Sequence, residues 1–329
     1  MKIVLVYADY ENISKEILEK NPRADKHMKK IVDDITKALQ WGGHEVFPVI
    51  GNNDCLNKIS EIKPDLIFCH YAPMEKLNLQ GNVFAMLELS GIPIVGSSMF
   101  TQAVGLSKET TKILLRDKNI RTTKSQVFFN KDDELNEDLE FPLFVKPERE
   151  ACSVGVRNDS YVENEHQLRE TLDRIFNEIE GPVLVEEYLV GREFTVGVLE
   201  EDPIRVLPIM ELKFSQGDRF RSIESVNKRS LEKVFPDDLD EEVIKEMEYM
   251  AKESFKALRA DVYARIDMRM DSKGRPNIIE FNTMPGLLKG GSFFETEANA
   301  IGMNYNQLIN KMVEITVKKY NIGDMENEK

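Results

Sequence analysis

Short apolar runs alternate with longer stretches in which apolar positions recur every three or four residues, and this rhythm governs the first hundred positions. Ile3–Tyr7, Glu45–Ile50, Asp65–Cys69 and Ile92–Val95 are β-branched or apolar runs of strand length. Between them the spacing predicts helices over Lys26–Trp41, stopped by Gly42-Gly43, and over Val83–Leu89, stopped by Ser90-Gly91. Such alternation implies a parallel sheet with helices on its faces. An open sheet of this kind binds ligands at the carboxyl ends of its strands, here near Tyr7–Glu11 and His70.

Beyond residue 97 the rhythm changes. A helix is expected over Leu106–Lys118, strands at Phe141–Lys146 and Val183–Glu187, and a polar, acidic connection over Asn130–Glu140. Strands follow at Phe194–Leu199 and Val206–Met210, then a helix over Glu241–Arg259 and strands at Tyr263–Arg269 and Asn277–Phe281. A last helix covers Tyr305–Lys319, and the polar stretch beyond Tyr320 is expected to fray. These elements suggest an α/β block over 1–97, a central α+β block over 98–185 and a third over 186–329. No internal repeat or low-complexity tract interrupts them.

Composition narrows the class. A chain of 329 residues suits two or three subdomains, and 41% apolar with 31% charged residues is the balance of a soluble enzyme. The net charge of −14 argues against nucleic-acid binding but not against a nucleotide site, where a few lysines suffice. Cys55, Cys69 and Cys152 are odd in number and lack CxxC spacing, which fits a reducing compartment and excludes a thiolate zinc site. No apolar run approaches the roughly 20 residues of a membrane span. The opening MKIVLVYAD reads as a buried strand rather than a signal sequence. A cytoplasmic protein without membrane or nucleic-acid partners is expected.

Three segments carry candidate chemistry. In YARIDMRMDSKGRPNIIEFNTMPG, residues 263–286, two strands form a hairpin at Asp271–Gly274. Alternate strand residues share a face, so Arg265 and Asp267 point one way, as do Glu280 and Asn282. Hard oxygen ligands of this kind suit magnesium. In FPLFVKPEREACSVGV, residues 141–156, Lys146 ends a strand before a loop of small residues whose N–H groups can approach phosphate. In VLVEEYLVGREFTVGVL, residues 183–199, Leu184–Leu189 reads as a hinge strand whose backbone can bind an adenine edge. Alone, each segment also reads as a solvated hairpin or turn.

Together, in this order, the three segments resemble the D-alanine–D-alanine ligase family of the ATP-grasp superfamily. The stretch QGNVFAMLELSGIPIVGSSMFTQAVGLSKETTKILLRDKNI, residues 80–120, resembles the same family, and the likeness runs from about Gln80 to Leu308. It implies an α/β ATP-grasp fold that encloses ATP and two magnesium ions, with manganese as an alternative. Lys108 and Lys146 would hold the phosphates, with Ser153 closing over them. Glu186, Glu187 and Leu189 would meet the adenine and Glu193 the ribose. Asp267, Glu280 and Asn282 would ligate the metals, Arg265 and the Gly286 N–H would stabilise an oxyanion, and Ser292 would meet the second substrate's carboxylate. The implied reaction turns one amino acid into an acylphosphate and joins it to the amine of another. The family precedent is a homodimer.

Departures gather on the amino-acid side. The family's glycine-rich His-Gly-x-x-Gly-Glu-Asp-Gly stretch is here HYAPMEKLNLQG, keeping His70 and Glu75 without the glycines. The first loop reads YADYENIS, where Glu11 stands near the family's amine-binding glutamate. The loop's serine pair is Cys152-Ser153, and IESVNKRS puts Val226 and Asn227 in the family's Lys and Tyr places, with Lys228 or Arg229 as replacement cations. Three expectations stay open: D-alanyl-D-alanine synthesis for peptidoglycan, a related ligase with a different donor or acceptor, and a non-catalytic ATP-binding module.

Overall fold

A computed structural model describes residues 1–12, 24–73, 79–150, 154–214, 218–222 and 231–322. The first sheet is parallel, with β1 (Lys2–Tyr7), β2 (Glu45–Ile50), β3 (Leu66–His70) and β4 (Ile94–Val95) in the order β2-β1-β3-β4. Alternation along β1 sends Ile3 and Leu5 into one core and Val4 and Val6 into another. The helix Ala24–Trp41 covers the first face, and the helices Cys55–Ile62 and Leu79–Glu88 cover the second.

The second sheet is antiparallel: β5 (Ser125–Phe128), β6 (Leu143–Pro147), β7 (Tyr161–Val162) and β8 (Val183–Glu187) lie in the order β5-β8-β6-β7. Its core is its own, with Phe128, Val145 and Val185 against Leu168, Leu172 and Ile175 of the helix Glu165–Glu178. The third sheet contains β9 (Glu193–Leu199), β10 (Arg205–Val206), β11 (Met210–Phe214), β12 (Leu231–Val234), β13 (Tyr263–Met270) and β14 (Pro276–Asn282). They run β12-β11-β9-β13-β14, with β10 also on β9. Val196, Val198, Ile266 and Met268 bury one face against the helix Glu241–Ala257. Part of the opposite face packs against the helix Phe293–Ala300, and the rest is left for chemistry.

One core joins the two ends of this arrangement. Ile3, Leu5 and Phe68 share it with Tyr263, Phe294, Leu308 and Met312, so the helix Tyr305–Lys319 packs beside Ala24–Trp41. Among the described residues no helix is long and apolar enough to cross a membrane.

Several elements differ from expectation. The helix expected over Leu106–Lys118 runs Lys108–Asp117, because Ser107 caps it by accepting from the Thr110 N–H and ends a separate helix, Met99–Leu106. The strand expected over Val206–Met210 is split into β10 and β11 around Pro208, which has no N–H to give a ladder. Among the described residues, four helices not expected are Cys55–Ile62, Met99–Leu106, Glu165–Glu178 and Phe293–Ala300. The fraying expected beyond Tyr320 falls mostly outside the described residues.

Candidate active site

A cleft of about 560 Å³ opens between the second and third sheets and the carboxyl ends of the first. Twelve of the site residues named from the sequence line it: Lys108, Lys146, Glu186, Glu187, Leu189, Glu193, Arg265, Asp267, Glu280, Asn282, Gly286 and Ser292. Ser153 lies outside the described residues, as do Glu75, Cys152, Val226, Asn227, Lys228 and Arg229. Glu11 is described but exposed and is not among the lining residues.

The floor is the polar face of β13 and β14. Arg265 stands opposite Asn282 and Asp267 opposite Glu280, which gathers all four side chains as the strand alternation required. A bulge after Asp267 shifts the register beyond this pair. The Arg265 Nε and Nη2 donate to the two Asp267 oxygens at 2.8 and 2.7 Å, and Asn282 Nδ2 donates to the same carboxylate at 3.1 Å. Burial would raise the Asp267 carboxyl, but the guanidinium beside it holds it below the usual carboxylate range.

Across the cleft, β6 and β8 bring Lys146 to Glu186. The Glu186 carboxylate, almost fully buried, meets Lys146 Nζ at 2.5 Å and Lys112 Nζ at 2.8 Å, and it accepts from the Thr123 hydroxyl at 2.6 Å. Burial opposes its charge, yet the two ammonium groups pull its pKa down to about 2. At Lys112 burial wins and the pKa falls, whereas at Lys146 the attraction of Glu186 and Glu280 outweighs burial and the pKa rises. Burial also lowers Lys108, whose Nζ is held by the Glu148 and Glu150 carbonyls. Glu187 accepts from the Lys124 N–H at 3.0 Å.

One end of the cleft is aromatic. Phe144 and Phe220 meet edge to face at 4.8 Å, with Tyr188 and Leu189 beside them. Glu193 leaves this end toward Arg269, whose Nη1 donates to it at 3.0 Å, though burial still raises its carboxyl. The other end is lined by His27, Met28, Ile31, Ala72, Met284 and Leu288 around His70. Burial keeps His70 near a pKa of about 4, hence neutral, and its Nδ1 has no partner.

Between the ends, three cations surround one ring. Lys233, Arg221 and Arg265 stand 5.0, 5.1 and 5.4 Å from the Phe293 centroid. Ser292 precedes that ring as the N-cap of the helix Phe293–Ala300, its hydroxyl accepting from the Glu295 N–H. Lys233 Nζ donates to the Gly291 carbonyl at 2.8 Å and the Thr296 hydroxyl at 3.2 Å.

Sequence reasoning missed Lys112, Thr123, Arg221, Lys233 and Glu297. The spacing of Lys112 four residues after Lys108 on one helix was the available signal for the first. The others are brought in by long-range packing.

A family model described as the D-ala D-ala ligase C-terminus matches residues 100–314. The D-alanine–D-alanine ligase of Aquifex aeolicus is 30% identical over 280 residues, covering 85% of this chain and 92% of that protein. A crystal structure of D-alanine–D-alanine ligase from Bacillus anthracis complexed with ATP matches with a TM-score of 0.76 at 24% identity, covering 97% and 98% of the two chains. The VanG D-Ala:D-Ser ligase from Enterococcus faecalis matches with a TM-score of 0.75 at 22% identity, covering 96% and 99%. These two structures share the fold, and the sequence matches give the kinship: the chain belongs to the D-alanine–D-alanine ligase family and has its ATP-grasp architecture.

Proposed function

We propose that this cleft joins two amino acids at the expense of ATP, through an acylphosphate, with release of ADP and phosphate. The observation that carries this is the facing of Lys108 and Lys146 toward Asp267, Glu280 and Asn282 across one cleft. The aromatic end, with Leu189, takes the adenine, and Glu193 the ribose.

The donor set fits magnesium. Two carboxylates and an amide on one face are hard oxygen donors, and among the described residues no three or more His, Cys, Asp or Glu side chains could hold a metal alone. Such an incomplete set suits an ion that takes its remaining ligands from phosphate and water. When bound, magnesium supplies charge neutralisation at the phosphates. Lys108 and Lys146 share that task and hold the transferring group in line with the attacking carboxylate. Arg265 and the Gly286 N–H then face the oxyanion that forms when the amine attacks. The Ser292 hydroxyl, with Arg221 nearby, receives the carboxylate of the second amino acid. Ser153 belongs to the loop proposed to exclude water from the acylphosphate. The reading places the enzyme in the cytoplasm, where its small amino-acid substrates are available.

A different donor or acceptor is the second reading. It is favoured by His27, Met28, Ile31 and Leu288 at the amino-acid end and by the arginine and lysine around Phe293. Phosphate release from ATP and magnesium over a panel of D and L amino acids, singly and in pairs, tests both readings, with Glu280→Gln as control. Turnover with D-alanine alone, lost in the control, supports a cell-wall role. Turnover only with another pair supports altered specificity. Silence across the panel in a protein that still binds ATP sinks ligation of amino acids and favours a nucleotide-binding module.

A further inference from the structure

Glu297 stands behind the site rather than in it. Its side chain, on the helix Phe293–Ala300, is wholly buried beside the Gly197 N–H and the Thr195 hydroxyl, and among the described residues no lysine or arginine forms an ion pair with it. The equally buried Thr195 hydroxyl lies between this carboxyl and that of Asp267. A wholly buried carboxyl without an ion-pair partner is rare and calls for a reason.

Gly197 fixes where that carboxyl lies. A Cβ at this position would come within 2.5 Å of Glu297 Oε2 and within 2.8 Å of Leu207 and Phe294. Gly197 is directly across the β9–β13 ladder from Arg265, and Thr195 is directly across from Asp267. This carboxyl therefore rests on the sheet beside the Arg265–Asp267 pair.

That pair poses a conflict. Both Asp267 oxygens are taken by the Arg265 guanidinium, and one also by Asn282. A metal on Asp267 needs those oxygens, and a buried guanidinium stripped of its counter-charge is costly. The neighbouring carboxylates are otherwise committed. Glu280 faces the metal position, Glu193 holds Arg269, and Glu295 accepts from the Gly290 N–H. Glu297, without an ion-pair partner, is the one packed against Gly197, directly opposite Arg265.

We propose that Glu297 is a positioning residue that receives the Arg265 guanidinium when Asp267 turns to a divalent cation. Metal and oxyanion arginine then no longer compete for one carboxylate. The inference rests on Asp267 being a metal ligand, as proposed above.

The test is Mn²⁺ binding, followed by electron paramagnetic resonance with ADP present, alongside steady-state kinetics. In Glu297→Gln, Arg265 stays on Asp267. Mn²⁺ affinity should fall about tenfold, the range in which partners of metal ligands act. The kcat should fall with it while KM for ATP holds, and Glu297→Asp should restore part of both losses. Glu297→Met fills a similar volume and serves with the same expectation if the amide variant does not fold. Unchanged Mn²⁺ affinity and kcat in a folded variant, with Glu280→Gln still abolishing Mn²⁺ binding, would overturn the role of Glu297 and leave the metal site standing. Mn²⁺ binding indifferent to both Asp267→Asn and Glu280→Gln would overturn both.

Discussion

Val262 sits one residue before β13 with φ at +65°, in a region that a β-branched side chain rarely enters. Its side chain is fully buried in the core shared by the first and third sheets, and its N–H donates to Glu200 at 2.8 Å. Two effects of similar size oppose each other there. Burial of a valine is worth about 1.5–3 kcal/mol, and a strained left-handed residue costs about 1–3 kcal/mol. Val262→Gly should therefore lower stability by only about 1 kcal/mol in denaturant unfolding, once the extra backbone freedom of glycine is included. A loss of about 3 kcal/mol would mean that the backbone there is unstrained. Residues of this kind are where reading the sequence stops. Asp267, Glu280 and Asn282 were legible because strand alternation is a local rule. The burial of Lys112 is not local, since Glu186 and Thr123 reach it from other parts of the chain. Nothing near Glu297 in sequence says that it lies on Gly197.

Glu186 acts at the scale of elements. From β8 it binds Lys112 on the helix Lys108–Asp117 and Lys146 on β6, tying three elements at one carboxylate. Glu186→Gln takes from two buried ammonium groups the carboxylate that both of them touch. Breaking a buried pair in this way typically costs about 3–5 kcal/mol. The pH dependence has a definite sign. The folded pKa of about 2 lies below the ordinary 4.5, so the stabilisation is present above pH 4.5 and is lost as pH falls toward 2. Denaturation midpoints of protein and variant should converge across that window, and a gap that persists at its acid end would refute the assignment. Element boundaries were legible where the punctuation is strong, as at Gly43, whose φ of +79° lies just past the helix Ala24–Trp41. The helix Glu165–Glu178 was available in the spacing of Leu168, Leu172 and Ile175, but its polar residues masked the stripe. The split between β10 and β11 could have been read from Pro208.

Across the whole molecule, two kinds of core coexist. The second sheet closes on residues within 128–185, while the first sheet shares its core with Tyr263, Phe294 and the last helix. Leu308→Ala should cost about 2–5 kcal/mol as a fully buried truncation. Hydrogen exchange should then quicken in β1 and β13 together while β6 and β8 keep their protection. Equal loosening of all three sheets would show that the cores are one cooperative unit.

That shared core has a consequence for how the chain is made. A ribosome delivers Ile3, Leu5 and Phe68 well before Leu308 and Met312, which complete their packing. The nascent first sheet must wait with part of one oily face uncovered, while the central sheet can finish as soon as its own helix and last strand emerge. Production of this protein should therefore lean on chaperones that shelter the strands of the first sheet until the helix Tyr305–Lys319 arrives.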